Sequence, residues 1–546
     1  MSGVSRKRAA PRPDSLIGVV RITAGHARIE PFDADGAPVA VGPGGKHGAK
    51  DGDAVVATVQ SAGRGSGRGR GRGGEPVARI DEVLGALDAP GVDVEIVARR
   101  HGCRREFPQD ALVAAARLGG IPPKELKKRE RFDSPLPVTI DGETARDFDD
   151  AIAVAEGPDG GFRLFVHVAD VAWYVAPGSP IDREAKARGT SVYFPDRVLP
   201  MVPQRLADDL CSLRPGEDKL VQTVVVDFDL PAPMILLDVE GTMTGITIEP
   251  RNRAHRMIEE FMLAANEAVA RWLSSKSVPC LFRVHEDPDP VKVEALAVFA
   301  RSLGLDLRMR REGLRSVDVQ RLLDSAEGKP AYPVVVQIAL RTMKQARYAP
   351  SDTGHFGLAA DHYLHFTSPI RRYPDLVAHR ALRAARHGAR ARHGDLAELS
   401  EACSLLEREA EAAEREVLEW KKVRFLRGRE GETFSGLVTG VARFGLFVQL
   451  DGGIAEGLVR VDRLGSEWFE YDAHRHELRG AVTGTTFRLG DPLEVRVERV
   501  DALRRRIDLA PMSVPPERGA APRRPGHNGG GQARARGPRR HGHGRR

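Results

Sequence analysis

The chain has 546 residues, 41% hydrophobic and 29% charged, with a formal net charge of +7, which gives room for several domains and at least one sizeable core. It holds no uninterrupted apolar run of bilayer length, and its first stretch, "MSGVSRKRAAPRPDS", has no apolar signal region, so the expectation is a cytoplasmic protein outside the membrane. Cys103, Cys211, Cys280 and Cys403 stand far apart with no CxxC pair, which argues against a zinc site and a disulfide framework.

Residues 1–14 read as a basic leader. The runs "LIGVVRITAGHARIEPF", "APVAVGP", "DAVVATVQ" and "PVARIDEVL" are β-type segments parted by Gly, Asp and Pro turns, and they predict a small barrel over 15–88. Inside it lies the tract 63–74, "GRGSGRGRGRGG", with Arg64, Arg68, Arg70 and Arg72 on a Gly-rich backbone that cannot pack a core. It is expected as an insertion before the last strand. Residues 89–130 form a bridge with one helical stretch, "QDALVAAARLGG", closed by Gly and Pro.

From 131 to 428 the pattern is mixed strand and helix. Near its start, "DGETARDFDD" places Asp141, Asp147, Asp149 and Asp150 within ten positions. Two carboxylates about 4 Å apart repel by roughly 4 kcal/mol at an effective dielectric near 20, so their convergence calls for shared protons or a cation. Oxygen-only donors favour Mg2+, with Mn2+ as the alternative, over zinc. An EF-hand is excluded because its sixth position would be Arg146; a solvated acidic turn is the competing reading. Strand alternation would put Asp147 and Asp149 on one face and Asp150 on the other, so the chain must bend there if all converge.

Further along, "RMIEEFMLAANEAVARWL" sets Ile258, Phe261, Met262, Ala265, Val269 and Trp272 on one helical face. The stretch "HFTSPIRRYPD" carries Arg371, Arg372 and Tyr373 after a Pro-bent turn, the pattern of a phosphate clamp with an aromatic for a base. A long helix over 395–425 buries Leu396, Leu399, Cys403, Leu406, Ala410, Ala413 and Val417 at alternating three- and four-residue steps. At about 100° per residue Glu414 falls roughly 40° from Ala410, inside that stripe. A glutamate there is either functional or satisfied by a neighbouring Arg.

β-type runs return over 432–512, again the pattern of a small closed barrel. The segment 513–546 is expected to be disordered: from Pro515 onward it holds nine arginines against Glu517, a net +8, which leaves −1 for the remainder. Such a segment binds polyanions or serves as a solubilising tail.

Carboxylates for a metal, an arginine for phosphorane charge and aromatics for bases are the needs of a phosphodiesterase. The blocks "VTIDGETARDFDDAIAV", "RGTSVYFPDRVLPMVP", "MKQARYAPSDTGHFGLAADHYLHFTSPIRRYPDLVAHR" and "AEREVLEW" resemble the signatures of the ribonuclease II / ribonuclease R family, closest to its ribonuclease R branch, in the family's order. The resemblance implies a multidomain chain: an N-terminal cold-shock-like OB barrel, a central α+β RNB catalytic domain, a C-terminal S1-type OB barrel and a basic tail. Residues 89–130 resemble only the end of a second cold-shock-like domain.

By the same resemblance Asp141, Asp147, Asp149 and Asp150 match the metal-holding quartet, with Asp149, Asp150, Arg371 and Glu414 catalytic. Tyr193 matches the aromatic that stacks near the 3′ end and sets the final product length, with Phe282 of "LFRVHEDP" as its partner aromatic. "SGLVTGVARFGLFVQLDGGIAEGLVRV" resembles an S1 fold in which Phe444 and Phe447 would stack bases and Arg443 and Arg460 would meet phosphate. The implied activity is processive 3′→5′ hydrolysis of single-stranded RNA to nucleoside 5′-monophosphates with Mg2+. The implied setting is a monomer recruited to ribosomes or RNA-decay assemblies. Two other readings are a non-catalytic RNA-binding regulator on the same fold and a nuclease for single-stranded DNA.

Overall fold

The computed structural model describes residues 15–32, 36–60, 76–142, 145–157, 161–228, 253–308, 313–329, 332–391, 394–450, 453–473 and 476–512. The leader, the Arg-Gly tract and the segment from 513 onward lie outside these. Strands β1 (Ser15–Thr23), β2 (His26–Pro31), β3 (Val39–Val41), β4 (Asp53–Gln60) and β5 (Val77–Ala86) close into a barrel of order β1-β2-β3-β5-β4. Alternation drives this closure: Val20, Ile29, Val55 and Ile80 point inward and are buried.

The bridge carries three helices, α1 (Val92–Arg100), α2 (Gln109–Ala116) and α3 (Pro123–Leu126). Helix α2 lies where the sequence predicts it. Helix α1 was not expected, because "GVDVEIVARR" is rich in β-branched residues that favour strand. Tertiary burial overrides that preference: Val92, Val94, Ile96 and Val97 are packed inside.

The central body follows. A three-stranded antiparallel sheet of order β10-β7-β6 is built from β6 (Asp150–Glu156), β7 (Phe162–Ala169) and β10 (Val221–Phe228). Between β7 and β10 come α4 (Val171–Tyr174), α5 (Pro180–Arg188) and a hairpin of β8 (Val192–Phe194) and β9 (Arg197–Leu199). Helix α6 (Arg253–Ser275) buries Ala265 and Val269, and packs Ile258, Phe261, Met262 and Trp272 against the same core, as its periodicity predicts. Beyond it lie β11 (Phe282–Val284), α7 (Pro290–Ser302), α8 (Ser316–Ala326), α9 (Tyr332–Thr342) and β12 (Arg347–Ala349), which pairs with β11. The body ends with α10 (Tyr373–Arg386) and α11 (Leu396–Leu426).

The second barrel, order β13-β14-β15-β20-β19, uses β13 (Thr433–Ala442), β14 (Gly445–Leu450), β15 (Glu456–Arg460), β19 (Pro492–Asp501) and β20 (Arg506–Pro511). Between β15 and β19 it carries a separate antiparallel sheet of β16 (Phe469–Asp472), β17 (Glu477–Gly480) and β18 (Thr486–Arg488). Helices α7–α9 and the end of α11 share one core with this barrel. Among the described residues no helix is long and apolar enough to cross a membrane, and the four cysteines are free.

Candidate active site

From Ala145 to Asp149 the acidic run is irregular, and Asp150 begins β6 opposite Val168. Ser212 holds the irregular part, its Oγ accepting from the Phe148 N–H at 3.1 Å and donating to the Arg146 carbonyl at 2.7 Å. The Asp149 carbonyl accepts from the Ala169 N–H at 2.8 Å. Regular alternation therefore stops one residue before Asp150, supplying the bend that convergence requires.

The segment 368–373 crosses this run. The buried Asp149 accepts the Ile370 N–H at 2.8 Å on Oδ1, and its Oδ2 faces the Arg371 Nε at 3.6 Å. Arg371 also donates through a terminal nitrogen to the Ser368 Oγ at 3.0 Å, which aims a half-exposed guanidinium from a fixed base. The Arg371 carbonyl accepts the Ser191 N–H at 2.9 Å, two residues before Tyr193. The Tyr193 hydroxyl donates to Asp147 Oδ2 at 3.1 Å, and its backbone N–H donates to Glu414 Oε1 at 2.7 Å. Four remote stretches thus meet: Asp141–Asp150, the β8 hairpin, the 368–373 turn and α11.

Their charges interact. Burial drives Asp149 well above the carboxylate range against the pull of Arg371 and the Ile370 N–H, and Asp150 and Asp147 push it further. Burial, then Asp141, lifts Asp150 to about 7 although Arg371 and Arg372 oppose it. Asp141, at the exposed edge, is raised by partial burial and by Asp147. Glu414 is raised by burial, against the Tyr193 N–H. Asp208, passed over in the sequence, is also raised by burial and by Asp147; its motif, "RLADDL", was the available signal.

Negative charge in excess of Arg371, carried by oxygen donors alone, suits a hard divalent cation in donor chemistry and in locality. No group of three or more His, Cys, Asp or Glu side chains among the described residues is drawn into a ready coordination shell. The site fits the ion in chemistry, without a preformed shell.

Three expected RNA contacts are corrected. Phe282 is 5% exposed within the central core, pairing through β11 with Ala349, so its ring has no face for a base. Arg372 turns inward and donates to Asp375 Oδ1 at 2.9 Å. Tyr373 is 4% exposed and donates its hydroxyl to Asp182 at 3.0 Å. Helix α10 starts at Tyr373, so both residues are wound into its buried end. In the second barrel, Arg443 and Phe444 are exposed, Phe447 is half-buried with its ring 6.0 Å from that of Phe444, and the exposed Arg460 pairs with Asp462 at 3.3 Å.

The matches to known proteins cover these same parts. The family model described as RNB domain matches residues 129–235 and 225–388, that of the S1 RNA binding domain 428–510, and that of the cold shock domain 36–108. Ribonuclease R of Aquifex aeolicus is 36% identical, over 79% of this chain and 72% of that protein. The chain belongs to the ribonuclease R family. Ribonuclease R of Escherichia coli is 35% identical over 80% of this chain and 64% of its own length, so the chain spans just under two thirds of that relative. Mycoplasma genitalium RNase R, solved with ribose methylated single-stranded RNA, superposes with a TM-score of 0.80 at 22% identity, covering 94% of this chain and 91% of that one. Yeast Ssd1, a pseudonuclease, shares the fold with a TM-score of 0.60 at 19% identity, over 87% and 69% of the two chains. The architecture is therefore a cold-shock barrel, an RNB domain and an S1 barrel.

Proposed function

We propose that this chain is a processive 3′→5′ exoribonuclease that hydrolyses single-stranded RNA to nucleoside 5′-monophosphates with Mg2+. The observation that carries the reading is the stitching of Asp149 to Ile370 and Arg371, and of Tyr193 to Asp147 and Glu414. A hard divalent cation held by Asp141, Asp147, Asp149 and Asp150 would supply Lewis acidity toward water and phosphate. Arg371, restrained by Ser368, offers guanidinium donors to the charge that builds on the phosphorane. Tyr193 presents its ring to the terminal nucleotide, while Glu414 fixes the strand beneath it.

A catalytically silent RNA binder is the alternative reading, which the ribonuclease R relatives do not favour. The full set of four aspartates with Arg371 supports the enzyme. Asp150→Asn separates the two, because it nearly preserves volume and removes one negative charge. Turnover on poly(A) should fall by several orders of magnitude while filter-binding affinity is kept or slightly raised, the phosphates meeting less repulsion. Retained turnover at all Mg2+ concentrations would sink the metal-site reading; joint loss of binding and turnover would mark misfolding.

A further inference from the structure

The Tyr193 hairpin has its own core. Val192 and Phe194 are 8% and 6% exposed, whereas Tyr193 between them is 39% exposed, the alternation expected of a strand with one buried face. The buried pair shares a cluster with Val94 and Val97 of α1 and with Ala413 and Val417 of α11. The first barrel enters the same cluster through Phe32, whose ring stands edge-on to Trp420 of α11 at 5.5 Å. The face that orients Tyr193 is thus shared with the barrel and α1, apart from the main RNB core.

Polar contacts run the same way. Glu82 of β5 accepts from Arg99 of α1 at 2.5 Å, Arg99 also pairs with Glu95 one turn back, and Glu95 Oε1 accepts from Arg197 of β9 at 2.9 Å. Arg197 opposes Phe194 in the hairpin, and therefore projects from its α1-facing side. Its guanidinium lies over Gly91, where an added Cβ would stand 2.7 Å from a terminal nitrogen. Barrel, bridge helix and hairpin are linked by one relay of alternating charge.

We propose that Arg197 and Glu95 are positioning residues for the Tyr193 clamp, through which the N-terminal barrel and α1 set the length of the final RNA fragment. The inference rests on the reading of Tyr193 as the terminal stacking residue. The Arg197–Glu95 pair is partly exposed, with side chains 40% and 26% accessible, so it adds little to global stability. Its loss should let the hairpin shift without unfolding the chain, and a small displacement of a clamp is enough to change which fragment is held.

The test digests a 5′-labelled single-stranded RNA to completion with wild type, Arg197→Ala, Glu95→Ala, the double variant, Arg197→Lys and Tyr193→Ala. Expected are longer terminal fragments for Arg197→Ala and Glu95→Ala and no further lengthening in the double variant, since the two act as one unit. Arg197→Lys should return the length toward wild type. Wild-type fragments from Arg197→Ala, with longer ones from Tyr193→Ala, would overturn the inference and spare the Tyr193 reading. Additive lengthening in the double variant would overturn the pairing. Wild-type fragments from Tyr193→Ala would overturn the reading itself, and the inference with it.

Discussion

Arg371, Arg372 and Tyr373 are consecutive, yet of the three it is Arg371 that pairs with an aspartate of the acidic run. Arg371 precedes the cap of α10 and reaches Asp149 and Ser368; Arg372 is the cap residue, and Tyr373 is the first helical residue. The Tyr373 hydroxyl is spent on Asp182, which also pairs with Arg380 at 2.8 Å. Tyr373→Phe should therefore cost about 1–3 kcal/mol of stability by leaving part of a buried carboxylate undersatisfied. RNA affinity should not move. Denaturant melts and filter binding on the same preparation check both; weaker RNA binding at unchanged stability would restore Tyr373 to the clamp.

At the scale of elements, two pieces set side chains by their phase. Helix α11 buries Leu399, Cys403, Ala410, Ala413 and Val417, and the same phase brings Glu414 under the Tyr193 N–H. Strand β14 does the equivalent in the S1 barrel, with Phe444 just before its first residue, Gly445. A Cβ on Gly445 would lie 2.2 Å from the Val459 carbonyl oxygen and 3.0 Å from the Arg460 Cα, both backbone atoms of β15 that cannot yield. Gly445→Ala should force β14 from β15 at a cost of about 1–3 kcal/mol. It should also weaken RNA binding by misplacing Phe444 and Phe447, read as a lower melting midpoint with lower affinity. An unaltered midpoint would mean that β15 gives way freely.

For the whole molecule, Glu416 of α11 is where the parts join. It pairs with Arg100 at the end of α1 and with Arg505 in the β19–β20 turn, and faces His101 Nε2 at 2.8 Å; His101 Nδ1 faces Glu409 at 3.2 Å. Hydrogen bonding to Glu416, against burial and with help from Glu409, raises the His101 imidazolium above its ordinary 6.5. Burial opposes ionisation of Glu416, but His101, Arg100 and Arg505 outweigh it and bring its carboxyl down to about 2. A raised histidine contributes stability that is full below the unfolded pKa and lost as pH rises through the folded one. The junction should therefore loosen as pH rises from the ordinary histidine value of 6.5 through the raised one. Its Glu416 part, with a depressed pKa, should persist until pH falls below the ordinary carboxylate range. His101→Gln should flatten the fall in melting temperature over the upper window; an unchanged slope would show that His101 does not carry it.

How much could be read without coordinates follows from the kind of information involved. The two barrels, the phase of α6 and α11, the aspartate run and its need for a bend are local matters of period and charge density, and the sequence determined them alone. Longer motif blocks extended this to Arg371, Tyr193 and Glu414. Tertiary structure alone decided which way Phe282, Arg372 and Tyr373 face, because an aromatic or an arginine beside a turn has the same local signature whether it is wound into a helix end or left in solvent. It also made a helix of the valine-rich α1, whose burial outweighs strand preference. The tie from Glu82 through Arg99 and Glu95 to Arg197 lies there too, since its members are far apart along the chain and meet only when the barrel packs against the RNB domain.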